Sequence, residues 1–159
     1  MRMLMLLAAL CATTDAVLVA QPARDPRFVG NWRLVSFVNI DEKGVATPNR
    51  FTGGRIMYDG AGQMAAQLTH AARPALPASP SDGLRAAAYA GYVAYYGAYD
   101  IDAATSRVTH RVEGSTNPNW PATDLIRYFE FADDGHTLKL SIRNAAGRTT
   151  GTLTWARIR

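Results

Sequence analysis

Residues 30–40, with the sequence GNWRLVSFVNI, carry the clearest structural signal of the chain. Trp32 and Leu34 fall on one side of the pattern, and Arg33 falls on the other. A period of two places successive side chains on opposite faces of a β-strand, so that one face can be buried. The stretch therefore predicts a β-strand that ends at the polar turn residues 41–44.

Further strand patterns, separated by turn residues, follow along the chain. The turn DGAG at 59–62 is typical of a hairpin. With the first strand, the patterns give eight antiparallel strands, and closing such a sheet into a barrel removes its edges. A β-sandwich fits the same strand count. The additional predicted strands are 55–58, 63–69, 92–101, 107–113, 124–131, 136–143 and 148–158.

One short helix is predicted between the third and fourth strands. The Pro-rich residues 74–80 exclude a central strand there, because proline lacks the N–H that a sheet requires. Ser81 or Asp82 can cap a helix, and the Ala-rich sequence that follows favours about two to three helical turns. We expect this helix to end near Gly91.

Residues 1–20 have the pattern of a signal peptide, with a positive charge before the apolar stretch 4–12. The apolar run is shorter than the roughly 20 residues that a membrane span needs. We expect cleavage, periplasmic or secreted localisation, a linker at 21–27 and a barrel domain at 28–159. An uncleaved anchor or a lipid-modified Cys11 are the alternatives.

Composition limits the chemistry. Cys11 is the single cysteine, so a disulfide framework, a cysteine zinc site and a CxxC motif are excluded. The formal net charge of +4 is spread singly along the chain, which argues against nucleic-acid binding. His70, His110 and His136 lack metal-ligand spacing. We expect no metal, no cofactor, no membrane span after cleavage, and a monomer or weak homodimer.

Several ordered segments resemble the bacterial and fungal lipocalin-like domain family. DPRFVGNW at 25–32 looks like the lipocalin opening, and WAR at 155–157 resembles the closing strand. The resemblance implies an all-β fold, an eight-stranded antiparallel lipocalin-like β-barrel with its helix where the pattern predicts one. It also implies that Trp32 plugs the barrel and Arg157 covers it by cation–π stacking, with Arg127 as an alternative partner. The similar segments are GNWRLVSF, GRIMYDGAGQMAAQL, GYVAYYGAYDID, VTHRVEGSTNPNW and IRYFEF.

The strand 92–101 is rich in tyrosine, and alternation puts Tyr95 and Tyr99 on one face. These two side chains can form a cavity wall with polar groups, or they can be core aromatics with satisfied hydroxyls. Trp120, between two prolines, can be a rigid lid or a loop staple. Arg127 can bind a ligand carboxylate or pack on the barrel plug.

His110 lies between two valines on the apolar face of its strand. It is either a satisfied core histidine or a hydrogen-bonding or proton-transferring group of the cavity. Glu113 ends the same strand, where it can pair with Arg111 or Arg127 or serve as a base at the cavity.

The leading hypothesis is an exported protein that binds an apolar small molecule in its barrel. One alternative is a small barrel enzyme that catalyses proton transfer, isomerisation or cyclisation with His110, Glu113 and Tyr95. Another is an envelope interaction protein without a ligand. Nucleophile-elbow, phosphate-loop and zinc-protease motifs do not occur in the sequence. The expected ligand-binding residues are Tyr95, Tyr99, His110, Trp120 and Arg127.

Overall fold

The computed structural model describes residues 25–132 and 135–159. The predicted signal peptide and most of the predicted linker lie outside this part of the chain. The strands are β1 (Gly30–Ile40), β2 (Ala46–Pro48), β3 (Phe51–Tyr58), β4 (Gln63–His70), β5 (Tyr92–Asp102), β6 (Arg107–Ser115), β7 (Asp124–Phe131), β8 (Thr137–Arg143) and β9 (Thr149–Arg157), and the helix is α1 (Asp82–Ala90).

The strands form one antiparallel sheet that closes on itself. From β3 to β9 each strand pairs with the next along the chain, and β1 pairs with both β3 and β9. The closing ladder joins Trp32 to Arg157 and Phe37 to Leu153. The predicted eight-stranded antiparallel barrel is confirmed, because the β1–β9 ladder closes a sheet that a sandwich would leave open.

The structure has one short strand that the sequence pattern does not predict, and another strand is longer than predicted. β2 pairs only with the last residues of β1, from Val38 opposite Pro48 to Ile40 opposite Ala46. It is too short and too close to proline for its pattern to indicate a strand. β3 begins at Phe51 rather than 55, because glycines at 53 and 54, poor strand formers by themselves, lie in the ladder with β4.

Aromatic packing closes one end of the barrel. Trp32 is fully buried, and its indole Nε1–H donates a hydrogen bond to the Phe28 carbonyl at 2.9 Å. The guanidinium carbon of Arg157 lies 4.2 Å from the centre of the Trp32 ring, and Arg157 Nη1 donates to the Val29 carbonyl at 2.7 Å. Arg157, and not Arg127, therefore covers the buried tryptophan.

The helix α1 lies beside the opposite, open end, next to the start of β5. Its N-cap is Ser81, whose hydroxyl accepts a hydrogen bond from the Leu84 N–H at 3.3 Å. Arg73 Nε donates to the Ala88 carbonyl at 2.9 Å, and the Tyr89 hydroxyl donates to the Thr116 carbonyl. These bonds tie the helix to the segments around the barrel mouth. Within the described residues, no helix has the length and apolar character needed to cross a membrane.

Candidate functional site

A cavity of about 380 Å³ occupies the barrel interior above the closed end. Such a volume lies in the lower part of the range that small-molecule sites occupy in proteins. Four residues of its wall have side chains that carry polar atoms, namely Tyr95, Trp120, Arg127 and Trp155. The rest of the wall is apolar and consists of Phe37, Phe51, Ile56, Ala66, Leu68, Val93, Leu125, Leu140, Ile142 and Leu153.

The cavity wall is mainly apolar because the register of neighbouring strands places apolar residues side by side on the inner face of the barrel. Phe37 on β1 faces Leu153 on β9, and Leu153 faces Leu140 on β8. Depressions on the outside of the barrel differ from this cavity, since polar side chains such as Arg33 and Arg55 line them. The interior cavity is therefore the candidate site.

Trp120 forms part of the wall from the loop between β6 and β7. Its ring lies edge-on to the ring of Tyr95, with 5.6 Å between the centres and 85° between the planes. The loop is held by the Trp120 carbonyl, which accepts from the Thr123 hydroxyl at 2.6 Å. The Trp120 ring thus contributes to the cavity wall, while the backbone carbonyl of the same residue helps to hold the loop.

Arg127 is the charged side chain of the cavity wall. Its Nη1 donates to the Ile126 carbonyl at 2.8 Å, so most of the five guanidinium N–H groups remain available. In the described part of the chain, no carboxylate forms an ion pair with it. Desolvation by burial raises the pKa of Tyr95, and the positive charge of Arg127, together with a hydrogen bond from its side chain, offsets part of that increase.

His110 is fully buried and joins two tyrosines from different strands. Its Nε2 lies 2.8 Å from the Tyr58 hydroxyl, and its Nδ1 lies 3.1 Å from the Tyr95 hydroxyl. Tyr95 belongs to the cavity wall, whereas His110 and Tyr58 lie behind it. The three side chains form a hydrogen-bonded chain that reaches the cavity through the Tyr95 hydroxyl.

Burial keeps this chain uncharged near neutral pH. Desolvation, followed by the positive charge of Arg127, lowers the pKa of His110 well below 6.5. Desolvation also raises the pKa of Tyr58 well above 10, and raises that of Tyr95. A neutral imidazole has one N–H donor and one acceptor nitrogen. One tyrosine must therefore donate to His110 while the other accepts from it.

Trp155 contributes a buried donor that has no partner. The side chain is 1% exposed and belongs to the cavity wall, and its Nε1 makes no hydrogen bond within the described residues. An unsatisfied buried donor costs roughly 1–3 kcal/mol, so such groups are uncommon in folded proteins.

Glu113 does not reach the cavity. Its side chain is exposed on the outer face of β6, while His110 on the inner face is completely buried. Arg111 does not pair with it either, because Arg111 Nε lies 2.6 Å from a carboxylate oxygen of Asp100. The alternation of β6 explains the separation, since the two residues are three apart and take opposite faces.

Tyr99 is separated from the cavity along β5. It lies four residues nearer the closed end than Tyr95, which is about 13 Å of strand. Its side chain is 1% exposed, and its hydroxyl donates to the Asp59 carbonyl at 2.8 Å. Its ring packs on Tyr58 with 4.9 Å between centres. The structure thus places Tyr95, Trp120 and Arg127 on the cavity wall, His110 directly behind it, and Tyr99 below it.

Two residues of the site with polar side-chain atoms, Tyr58 and Trp155, are not among those that the sequence predicts for it. Tyr58 ends a strand pattern, and 52 positions separate it from His110 in the chain. Trp155 was assigned only to the closing strand motif. The inward alternation of Leu153 and Trp155 on β9 is the signal that could have indicated both its burial and its place in the cavity. No group of three or more metal-ligating side chains occurs in residues 25–132 and 135–159.

Comparison with family models agrees with the architecture. A family model described as a lipocalin-like domain matches residues 29–158, which include every strand of the barrel. A solved structure titled as a redesigned beta barrel aligns with a TM-score of 0.43 and 12% identity, covering 84% of this chain and 93% of that chain. No curated protein matches the chain significantly.

Proposed function

Because this chain belongs to the lipocalin-like domain family, we propose that it binds an apolar small molecule in the cavity of its barrel. The fold is suited to ligand binding in general, and the apolar wall supports this choice of ligand. The main observation in support of this proposal is the interior cavity of 380 Å³, whose wall is apolar apart from four side chains. Burying apolar surface of the ligand supplies roughly 25 cal/mol per Å² removed from water.

The cavity can be tested by filling it from one wall. Ala66 is buried and lines the cavity, and Ala65 beside it is only partly buried and faces outward. We expect Ala66→Leu to weaken binding of the neutral apolar fluorophore N-phenyl-1-naphthylamine by about tenfold, because the added carbons occupy ligand space. The measurement is a fluorescence titration of the folded variants.

Ala65→Leu is the matched control, because it adds the same atoms outside the barrel. Its affinity for the fluorophore should stay close to that of the unmodified protein. The proposal fails if the unmodified protein does not bind the fluorophore, or if both alanine variants bind it as well as the unmodified protein does.

We also propose that the protein is exported to the periplasm or the medium. The support is the sequence pattern of residues 1–20, with Arg2 before an apolar stretch. We expect the mature chain to begin between Val17 and Pro26. Intact-mass spectrometry of protein from the periplasm or medium of its producing cell tests this, and exported material that retains Met1 would contradict it.

A further inference from the structure

We propose that the ligand carries a carboxylate, which Arg127 binds as a salt bridge while the Tyr95 hydroxyl donates a second hydrogen bond. This inference rests on the proposed apolar-ligand function and adds the polar group that the ligand must present. The proposal rests on three observations among the described residues: the Arg127 guanidinium has no carboxylate partner, Tyr58, His110 and Tyr95 form a hydrogen-bonded chain, and the cavity wall has no acceptor-only side chain.

The polar groups of the wall are biased toward donors. Arg127 and the indole groups of Trp120 and Trp155 can donate hydrogen bonds and cannot accept them. Tyr95 can do either. No Asp, Glu, Asn or Gln belongs to the described cavity wall. A ligand with acceptor oxygens can accept hydrogen bonds from Arg127, whereas a cationic ligand would meet the positive charge of Arg127 with nothing to offset it.

Arg127 is the group that selects a negative charge. It has no carboxylate partner in the described part of the chain, and it lies in an apolar surrounding that weakens competition from water. A planar guanidinium can donate two parallel hydrogen bonds to the two oxygens of a carboxylate. Such charge-assisted hydrogen bonds are stronger than hydrogen bonds between neutral groups. A carboxylate at this position would keep its hydrocarbon part against the apolar wall.

The buried tyrosine–histidine chain can set the direction of the Tyr95 hydroxyl. If the Tyr58 hydroxyl donates to His110 Nε2, then Nδ1–H donates to the Tyr95 oxygen. The Tyr95 O–H is then directed away from His110 and can donate to a ligand oxygen. His110 is thus a positioning residue, since it presents Tyr95 as a donor without touching the ligand.

The test compares two ligands that share a hydrocarbon chain and differ in the end group. The affinity of decanoate and of decanol is to be measured by displacement of N-phenyl-1-naphthylamine from the protein at neutral pH. We expect decanoate to bind about tenfold more tightly than decanol, because its carboxylate pairs with Arg127. Arg127→Met should remove this preference by weakening decanoate about tenfold while changing decanol by less than about twofold.

Matched variants separate the site from general effects on the fold. Arg55→Met removes a cation from the outer face of β3 and should leave the decanoate preference unchanged. Tyr95→Phe should weaken decanoate and spare decanol, whereas Tyr99→Phe, below the cavity, should alter neither. If Arg127→Met does not fold, the preference of the unmodified protein decides the question.

The outcomes distinguish this inference from the proposed function. Displacement of the fluorophore by decanol as well as by decanoate, at equal affinity, would leave an apolar site and overturn carboxylate recognition. A decanoate preference that survives in folded Arg127→Met would overturn the role of Arg127. Failure of the fluorophore, decanoate and decanol all to bind would overturn the proposed function itself, and with it this inference.

Discussion

Replacing Trp32 with alanine is expected to lower the free energy of unfolding by about 3–5 kcal/mol, in the range of large aromatic truncations in protein cores. Trp32 is 0% exposed, so the deletion leaves a cavity in the closed end of the barrel. It also removes the donor to the Phe28 carbonyl and the ring beneath the Arg157 guanidinium. The melting temperature should fall by on the order of 10 °C.

Trp120→Ala is the matched control, because it deletes the same side chain from a partly exposed loop position. We expect it to cost clearly less stability than Trp32→Ala and to affect fluorophore binding instead. Chemical denaturation with a common slope for the three proteins measures both losses. An unchanged melting temperature for Trp32→Ala would contradict its role as the barrel plug.

The sequence predicts most of the fold because strand alternation and turn chemistry are local. The observed β1, Gly30–Ile40, has the predicted bounds, and α1 begins after the predicted cap Ser81. The errors occur where local chemistry is ambiguous. Glycines at 53 and 54 disfavour a strand prediction for the first half of β3. In the structure, Gln67 and Leu68 approach so closely that Gly54 has no room for a side chain.

The site is less predictable because it depends on register across the barrel. Local alternation puts His110 on the apolar face and Glu113 on the other, and the structure has this arrangement. The pairing of His110 with Tyr58 depends on the joint register of β3, β4, β5 and β6, which no single segment specifies. The cavity volume, and the missing partner of Trp155 Nε1, depend on packing among all the strands.

The buried His110 should make the protein lose stability as the pH falls below about 6.5. In the unfolded chain a histidine has a pKa near 6.5, whereas burial and Arg127 hold the pKa of native His110 well below that value. Between these two pKa values the unfolded state binds more protons, so the free energy of unfolding decreases as the pH decreases. At a pH about one unit or more above 6.5, His110 is almost entirely neutral in both states, and its contribution no longer changes.

The slope below pH 6.5 approaches about 1.4 kcal/mol per pH unit for one such group. Unfolding curves from pH 7.5 to 5 should therefore show a loss of up to about 2 kcal/mol, which is the limit for a native histidine that stays neutral over this range. The pKa values of Asp25 and Asp102 are lowered from 3.8, so protonation of these two carboxylates affects the free energy of unfolding only at lower pH.

His110→Gln should flatten the pH dependence between 7.5 and 5, because glutamine has no proton to gain in this range. His136→Gln, which replaces an exposed histidine, is the matched control for the substitution itself. The comparison concerns slopes, so it stands even if His110→Gln lowers stability at every pH by disturbing Tyr58 and Tyr95. A slope that persists in His110→Gln would mean that it comes from another group whose pKa differs between the folded and unfolded chain. Folding would then not lower the pKa of His110.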